Sequence, residues 1–277
     1  MDLAISVRPG SRALAQGARP TPGPPAGDAN VIKTREWTLN VNARRTDQSG
    51  RAFKGSQLQI QTYVNRYPDV LNGAIIAAIP ELSESRLPLI WVSPLEDDGF
   101  REYHDAAFLR ALGLEGSCDS LARFWPKNGP VWDALARLED PSTGTCQGAI
   151  LVEAKSYPDE MRSSGSGASA PSLKMIEAAL DATCQWLGVA RTPAWTGSLY
   201  QMANRLAHLY FFRELSGIAA WLVSVNFYED SHRLTSREQW KTALEAAKSE
   251  LGICPGRVPF YAEVLLPAFD RQAPLEK

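Results

Sequence analysis

The segment Gly148-Ala149-Ile150-Leu151-Val152-Glu153-Ala154-Lys155 decides the fold expected for this chain. Its residues from Ala149 to Val152 are apolar without a polar break, which predicts a strand buried on both faces. Residues two apart in a strand point to the same side, with about 6.6 Å between them. Glu153 and Lys155 should therefore leave the core side by side, and an acid placed beside a lysine at a buried strand end is costly unless it has a use.

The preceding residues bring a second carboxylate to the same place. Residues 130–139 are predicted to form a strand, and residues 140–145 have the composition of a turn. A hairpin centred on Thr143 places Asp133 opposite Glu153 on the same face, with roughly 5 Å between their Cβ atoms. Two facing carboxylates repel each other, and a divalent cation such as Mg²⁺ removes the conflict. A slip of one residue in the register would separate them.

Composition indicates a globular protein and excludes few functions. The chain has 277 residues, of which 44% are hydrophobic and 22% charged, and a formal net charge of -2. This charge argues weakly against a protein that wraps nucleic acid, but it leaves room for a local basic cleft. Four widely spaced cysteines predict neither a zinc site nor a disulfide framework and favour reduced thiols in the cytoplasm. The sequence has no membrane-length apolar run and no secretory signal pattern, so we expect a cytoplasmic protein without a membrane span.

The chain divides into three predicted parts. Residues 1–30, rich in Pro, Gly, Ala and Arg, are predicted to be a disordered lead-in. Residues 31–99 are predicted to form a polar arm and a helical extension. Within it, residues 31–55 are either a solvated segment or a basic arm that touches a phosphate backbone. Residues 100–277 are predicted to form the main α/β domain.

Periodicity predicts an α/β sandwich around a mixed sheet. Strands and helices alternate through the second half of the chain, which is typical of this class. A long helix over 199–215 carries polar residues at helical spacing on one face, among them Gln201 and Arg205. Helices are predicted over 57–79, with a break near Pro68, and over 103–112, 172–187, 199–215 and 236–251, with Gly188 as the C-terminal cap of the third. Strands are predicted over 130–139, 148–155, 218–227 and 260–266, and residues 88–94 are a short strand or another core segment.

An acid on one strand followed by Glu-x-Lys on the next, then a helix and a strand, resembles the PD-(D/E)XK nuclease superfamily. The residues that carry the resemblance are Asp133 and Glu153-Ala154-Lys155, within a region of roughly residues 100 to 230. The resemblance implies a three-layer α/β/α sandwich with a restriction-endonuclease-like core. It also implies a Mg²⁺-dependent hydrolase of phosphodiester bonds, with Mn²⁺ as a substitute and DNA favoured over RNA. The chain departs from the family pattern in having Trp132, not proline, before the first acid.

The same residues suit phosphodiester hydrolysis on chemical grounds. Asp133 and Glu153 would hold the metal, with the Ala154 carbonyl as a further ligand. Lys155 would orient the attacking water or stabilise the developing charge. In supporting positions, Glu102 could reach the surroundings of the metal, and Gln201 and Arg205 could position the phosphate or orient Lys155.

Two alternatives remain open at this stage. Glu153 and Lys155 could form a structural ion pair that closes a core strand, and a polar helix face is usually only solvated. The protein could also be a nucleic-acid-binding or protein-binding module that has this fold without catalysis. A homodimer is compatible with the sequence.

Overall fold

Strand β3 (Cys146–Lys155) lies at the centre of an α/β fold built on one five-stranded mixed sheet. It pairs antiparallel with β2 (Ala134–Glu139) and parallel with β4 (Ala220–Tyr228). The outer strands are β1 (Leu89–Ser93), antiparallel to β2, and β5 (Tyr261–Pro267), parallel to β4. The computed structural model describes residues 45–253 and 258–269. The predictions for residues 1–44 therefore lie outside the described residues.

The hairpin that joins β2 to β3 has the predicted register. Ala134 faces Val152 and Ala136 faces Ile150, and a shift occurs only near the turn, between Leu138 and Glu139. The apolar run of β3 is buried on both faces, as predicted, and this burial explains why the register is well specified: a slip would turn every side chain to the other face.

The first strand of the hairpin is shorter than predicted. It begins at Ala134, because the residues after Pro130 run outside the sheet and Trp132 forms an isolated bridge with Tyr103. Proline has no N–H to donate to a ladder, which is consistent with a strand that starts beyond it. Asp133 consequently lies immediately before β2 and not within it.

The helices agree with the periodicity apart from their ends. The predicted break near Pro68 separates α1 (Gly55–Arg66) from α2 (Pro68–Ala78), and the left-handed Gly188 follows α6 (Ala170–Leu187) as its predicted cap. The predicted helix over 199–215 is an α-helix that continues as a π-helical turn over Phe211–Leu215. The helices are α1 (Gly55–Arg66), α2 (Pro68–Ala78), α3 (Pro80–Ser85), α4 (Asp105–Ala111), α5 (Cys118–Phe124), α6 (Ala170–Leu187), α7 (Tyr200–Tyr210) and α8 (Arg237–Glu250).

Helices pack on both faces of the sheet and form two apolar cores. Leu151 of β3 belongs to the core shared with α4 to α7, whereas Ile150 and Val152 belong to the core shared with α1 to α3. Neighbouring residues of a strand point to opposite faces, so the unbroken apolar run supplies both cores. The segment predicted as a helical extension thus contributes one helical layer and, through β1, one strand of the same sheet.

The described residues contain no helix long and apolar enough to cross a membrane.

Substitution of two glycines, one in the sheet and one in a helix, measures how tightly the sheet is packed. A Cβ atom on Gly148 of β3 would lie 3.0 Å from the Ala219 carbonyl oxygen and 3.2 Å from side-chain atoms of Leu138 and Trp221. We expect Gly148→Ala to lower the free energy of unfolding by about 1–3 kcal/mol because the site is overpacked. The measurement is urea denaturation followed by circular dichroism.

Gly73 provides the matched control. It lies in α2, and a Cβ there would meet nothing within 4 Å. Gly73→Ala should therefore raise the free energy of unfolding by about 0.5–1 kcal/mol, since alanine is the better helix former. Equal effects of the two substitutions would contradict the packing described for β3.

Candidate active site

The alternation of β3 carries Glu153 and Lys155 onto the face covered by α7. Leu151 belongs to the core on that face, and Glu153 and Lys155 continue the same row of side chains beyond it. The register of the parallel pair sets Glu153 beside Ser224 and Lys155 beside Asn226 of β4. The two charged residues therefore sit where the apolar core ends, at the carboxyl ends of two parallel strands.

Asp133 approaches the same strand end from the other side. Its Oδ2 atom accepts a hydrogen bond of 2.7 Å from the backbone N–H of Ala154. The ladder between β2 and β3 ends at Ala134 and Val152, so this carboxylate takes the place of a backbone partner for Ala154. Asp133 thus lies close enough to Glu153 and Lys155 for their charges to act on its carboxyl.

Glu153 is a buried acid between two cations. Its Oε1 atom forms an ion pair with Lys155, and its Oε2 atom contacts Arg205, whose Nε lies 2.6 Å away. The side chains of Glu153 and Lys155 are each 12% exposed and that of Arg205 is 8% exposed. Both oxygens of the carboxylate are therefore engaged by the chain's own charges.

Arg205 is fixed and does not fit the role of a phosphate ligand. Besides contacting Glu153, its guanidinium donates to Asn204 Oδ1 at 2.8 Å and to the Val131 carbonyl at 2.7 Å, and it lies 4.9 Å from the centroid of the Trp132 ring. All three nitrogens have partners, which leaves little of the group for a substrate. Arg205 instead holds Glu153 in place and links α7 to the segment before Asp133.

The other two supporting residues lie nearby with different surroundings. Glu102 precedes α4, which begins at Asp105, and its Oε1 accepts a hydrogen bond of 3.1 Å from Gln57 of α1. Gln201 of α7 has a buried Oε1 atom without a hydrogen-bond partner in the described part of the chain. This atom is an oxygen ligand or acceptor that remains available.

A pocket opens beside these residues. It is small, with a cavity volume of ≈ 30 Å³, and lies between α7, α8 and the parallel strands. Glu153, Lys155, Gln201 and Arg205 form its polar wall. Its other lining residues are Met161, Met202, Leu222, Ser224, Leu244 and Tyr261.

The acids at the site have opposite tendencies to ionise. Burial, followed by repulsion from Glu153, raises the pKa of Asp133 to about 7. Burial also acts to raise the pKa of Glu153, but the charges of Arg205 and Lys155 outweigh it and lower that pKa. Burial opposes the charge of Lys155, yet Glu153 and Asp133 together raise its pKa. Burial, reinforced by the charge of Glu153, raises the pKa of Glu102.

The donors present are compatible with a hard cation. Asp133 is an acid that ionises reluctantly beside another acid, and Gln201 supplies an orphaned oxygen. Oxygen donors of this kind, one or two carboxylates with waters, are those that Mg²⁺ prefers. Within residues 45–253 and 258–269, no group of three or more His, Cys, Asp or Glu residues is arranged to hold a metal. A cation at this site would therefore depend on Asp133 and Glu153, with the Ala154 carbonyl and water.

Comparison with known proteins identifies no relative. No protein-family model, curated protein or solved structure matches the chain. The chemistry of the site has to be inferred from its own residues.

Two residues that shape the site had no signal in the sequence for their roles. Trp132 lies against Arg205, and Gln57 reaches Glu102 across 45 residues of chain. Both contacts join distant segments. Asn204, which accepts a hydrogen bond from Arg205, was indicated by its place next to Arg205 on the polar face of α7.

The two cations around Glu153 should differ in their contribution to stability. Arg205→Met leaves Glu153 and the Val131 carbonyl without their fixed donor, and we expect it to cost about 3–5 kcal/mol of unfolding free energy. Lys155→Met leaves Arg205 in place and should cost only about 1.5 kcal/mol. Guanidinium denaturation in EDTA measures both. A larger loss for Lys155→Met than for Arg205→Met would contradict the roles assigned here.

Asp133 should make stability depend on pH. The unfolded carboxyl loses its proton near the ordinary value of 3.8, whereas the folded one keeps it until about pH 7. Ionisation therefore destabilises the folded chain as the pH rises between these values. Asp133→Asn should stabilise the metal-free protein by on the order of 2 kcal/mol at pH 8, and by little below pH 4. Thermal unfolding in EDTA across this range tests it, and a gain that does not vary with pH would contradict the assignment.

Proposed function

We propose that this protein is a metal-dependent nuclease that hydrolyses phosphodiester bonds of nucleic acid, with DNA favoured over RNA. The observation that carries the proposal is the convergence of Asp133, Glu153 and Lys155 at the open end of β3, beside a pocket. Two acids and an amine in this order, on a hairpin followed by a helix and a parallel strand, resemble the PD-(D/E)XK superfamily. The α/β/α sandwich of that superfamily is compatible with the mixed sheet and its two helical layers.

Asp133 and Glu153 would hold a Mg²⁺ ion, which Mn²⁺ could replace, with the Ala154 carbonyl as a further ligand. When bound, the cation supplies Lewis acidity that neutralises a nonbridging phosphate oxygen and activates water. Arg205 keeps Oε2 of Glu153 occupied, so Oε1, which Lys155 contacts, is the oxygen that would face the cation. Arg205 therefore acts as a positioning residue for the acid.

Lys155 acts through its charge. Its raised pKa keeps the amine protonated, so it serves as a hydrogen-bond donor and not as a base. In hydrolysis a water oxygen bonds to phosphorus while the bond to the leaving oxygen breaks, and negative charge grows on the phosphate oxygens. An ammonium group near these oxygens stabilises that charge. Glu102 and Gln201 would orient water or the phosphate from either side.

A binding module without catalysis is the second candidate. The observation in its favour is that Lys155 and Arg205 already neutralise both oxygens of Glu153, a condition that a purely structural ion pair would also satisfy. Metal binding separates the two candidates, because a binding module has no need for a cation that depends on Glu153.

Hydrolysis assays test the proposal directly. The full chain should cleave plasmid DNA, single-stranded DNA or RNA with Mg²⁺ or Mn²⁺ and not with EDTA. Asp133→Asn and Lys155→Met should each lower the rate at least 100-fold, since removal of one group that stabilises transition-state charge typically has effects of this size. Activity that survives either substitution would exclude the proposed site.

A matched control distinguishes loss of chemistry from loss of fold. Lys248 of α8 is a buried lysine that pairs with Glu245 and Glu263 and not with Glu153, and Lys248→Met removes the same charge. This variant should retain hydrolysis close to that of the wild type. Isothermal titration with Mn²⁺ should give a site that is lost in Asp133→Asn and retained in Lys248→Met.

A further inference from the structure

Two tyrosines stand at the exit of the candidate site. Tyr157 lies two residues beyond Lys155 and is extended, with φ -156° and ψ 154°. Tyr228 is the last residue of β4. The parallel register sets Lys155 beside Asn226, and the same register carried two residues further brings Tyr157 and Tyr228 to the same edge of the sheet.

An arginine covers each of these tyrosines. The Arg233 guanidinium lies 4.5 Å from the centroid of Tyr157, and that of Arg237 lies 4.7 Å from the centroid of Tyr228. Both arginines are exposed, and 53% of the Arg233 side chain is open to solvent. His232 adds an edge-to-face contact with Tyr157 at 6.5 Å between ring centroids. Planar groups from the loop after β4 and from the start of α8 thus cover the aromatic rings.

The charges around these pairs do not favour a simple polyanion site. Arg233 forms an ion pair of 2.5 Å with Asp159, and the exposed Glu229 and Glu238 lie close to the two arginines in sequence. These acids offset the positive charge, so the pairs offer flat aromatic and guanidinium faces more than a strong electrostatic field. Such faces attract planar, weakly hydrated groups, as in the stacking of bases on tyrosine and arginine.

We propose that the pairs Tyr157–Arg233 and Tyr228–Arg237 form a stacking platform for unpaired bases of single-stranded nucleic acid. The inference rests on the proposed function for the nature of the ligand, and it specifies the substrate as a strand with exposed bases. A duplex keeps its base faces stacked internally and cannot offer them to the platform. A groove of ≈ 930 Å³, including open solvent, adjoins Arg233 between Pro158, Leu234 and α8 and leaves room for a flanking base.

Fluorescence anisotropy tests the platform. The full chain in EDTA, where no cation supports hydrolysis, is titrated into a labelled thymidine oligonucleotide and into a labelled duplex of the same length. We expect tighter binding of the single strand, because only its bases are free to stack on the platform.

Substitutions of similar size keep the fold comparable. Tyr157→Leu should weaken binding of the single strand at least fivefold, whereas Tyr157→Phe retains the ring and should bind as the wild type does. Arg233→Lys retains the charge but loses the planar group and should also weaken binding. Arg191→Lys is the matched control, because Arg191 pairs with Asp181 and Glu177 of α6 and not with an aromatic ring in the platform. Thermal unfolding checks that each variant is folded.

The outcomes separate the platform from the nuclease. Equal losses for single strand and duplex, or unchanged binding in both Tyr157→Leu and Arg233→Lys, would overturn the platform even if the protein cleaves nucleic acid. Binding that depends on Tyr157 and Arg233 in a protein that hydrolyses nothing would support the platform and exclude the nuclease.

Discussion

The carboxylate of Glu153 between Lys155 and Arg205 is the interaction on which the candidate site depends. A buried acid is stable in a folded protein only if charges and hydrogen bonds compensate for the lost water. Arg205 provides most of this compensation because its three nitrogens are fixed by Glu153, Asn204 and the Val131 carbonyl. Through Arg205, Glu153 of β3 is connected to α7 and to the segment that leads to Asp133.

The position of this interaction follows from the sheet. β3 and β4 are parallel, and their carboxyl ends emerge together at one edge of the apolar core. Ligands of open α/β sheets bind at this kind of edge, where the chain leaves the strands and loops are free to vary. The core below is continuous and buried, so the charged row of Glu153 and Lys155 rests on a rigid support.

Arginines have opposite roles on the two sides of this edge. Arg205 is buried and fully paired, which suits an internal counter-ion. Arg233 and Arg237 are exposed residues that lie on tyrosine rings, which suits contact with a ligand. All three arginines carry the same charge. They differ in burial and in partners, so Arg205 suits a structural role and the other two suit contact with a ligand.

Local patterns in the sequence determined much of the fold. The unbroken apolar run of β3 required burial on both faces, and the turn centred on Thr143 set the hairpin register that brings Asp133 towards Glu153. Periods of 2 and 3.6 residues predicted most strands and helices, because side-chain direction repeats with the backbone. The start of β2 was predicted too early, because Trp132 pairs with Tyr103 and not with a strand of the sheet.

Only the tertiary structure decided which polar residues serve which purpose. Arg205 contacts Glu153 and is not free for phosphate, whereas the Gln201 side-chain oxygen remains available. Arginine side chains lie over the rings of Tyr157 and Tyr228. The contacts of Arg205 with Glu153 and of Arg233 with Tyr157 join residues far apart in the chain. A sequence pattern predicts the direction in which a side chain points from its own helix or strand. The partners of that side chain depend on how helices and strands pack against each other. This packing leaves no local periodicity in the sequence.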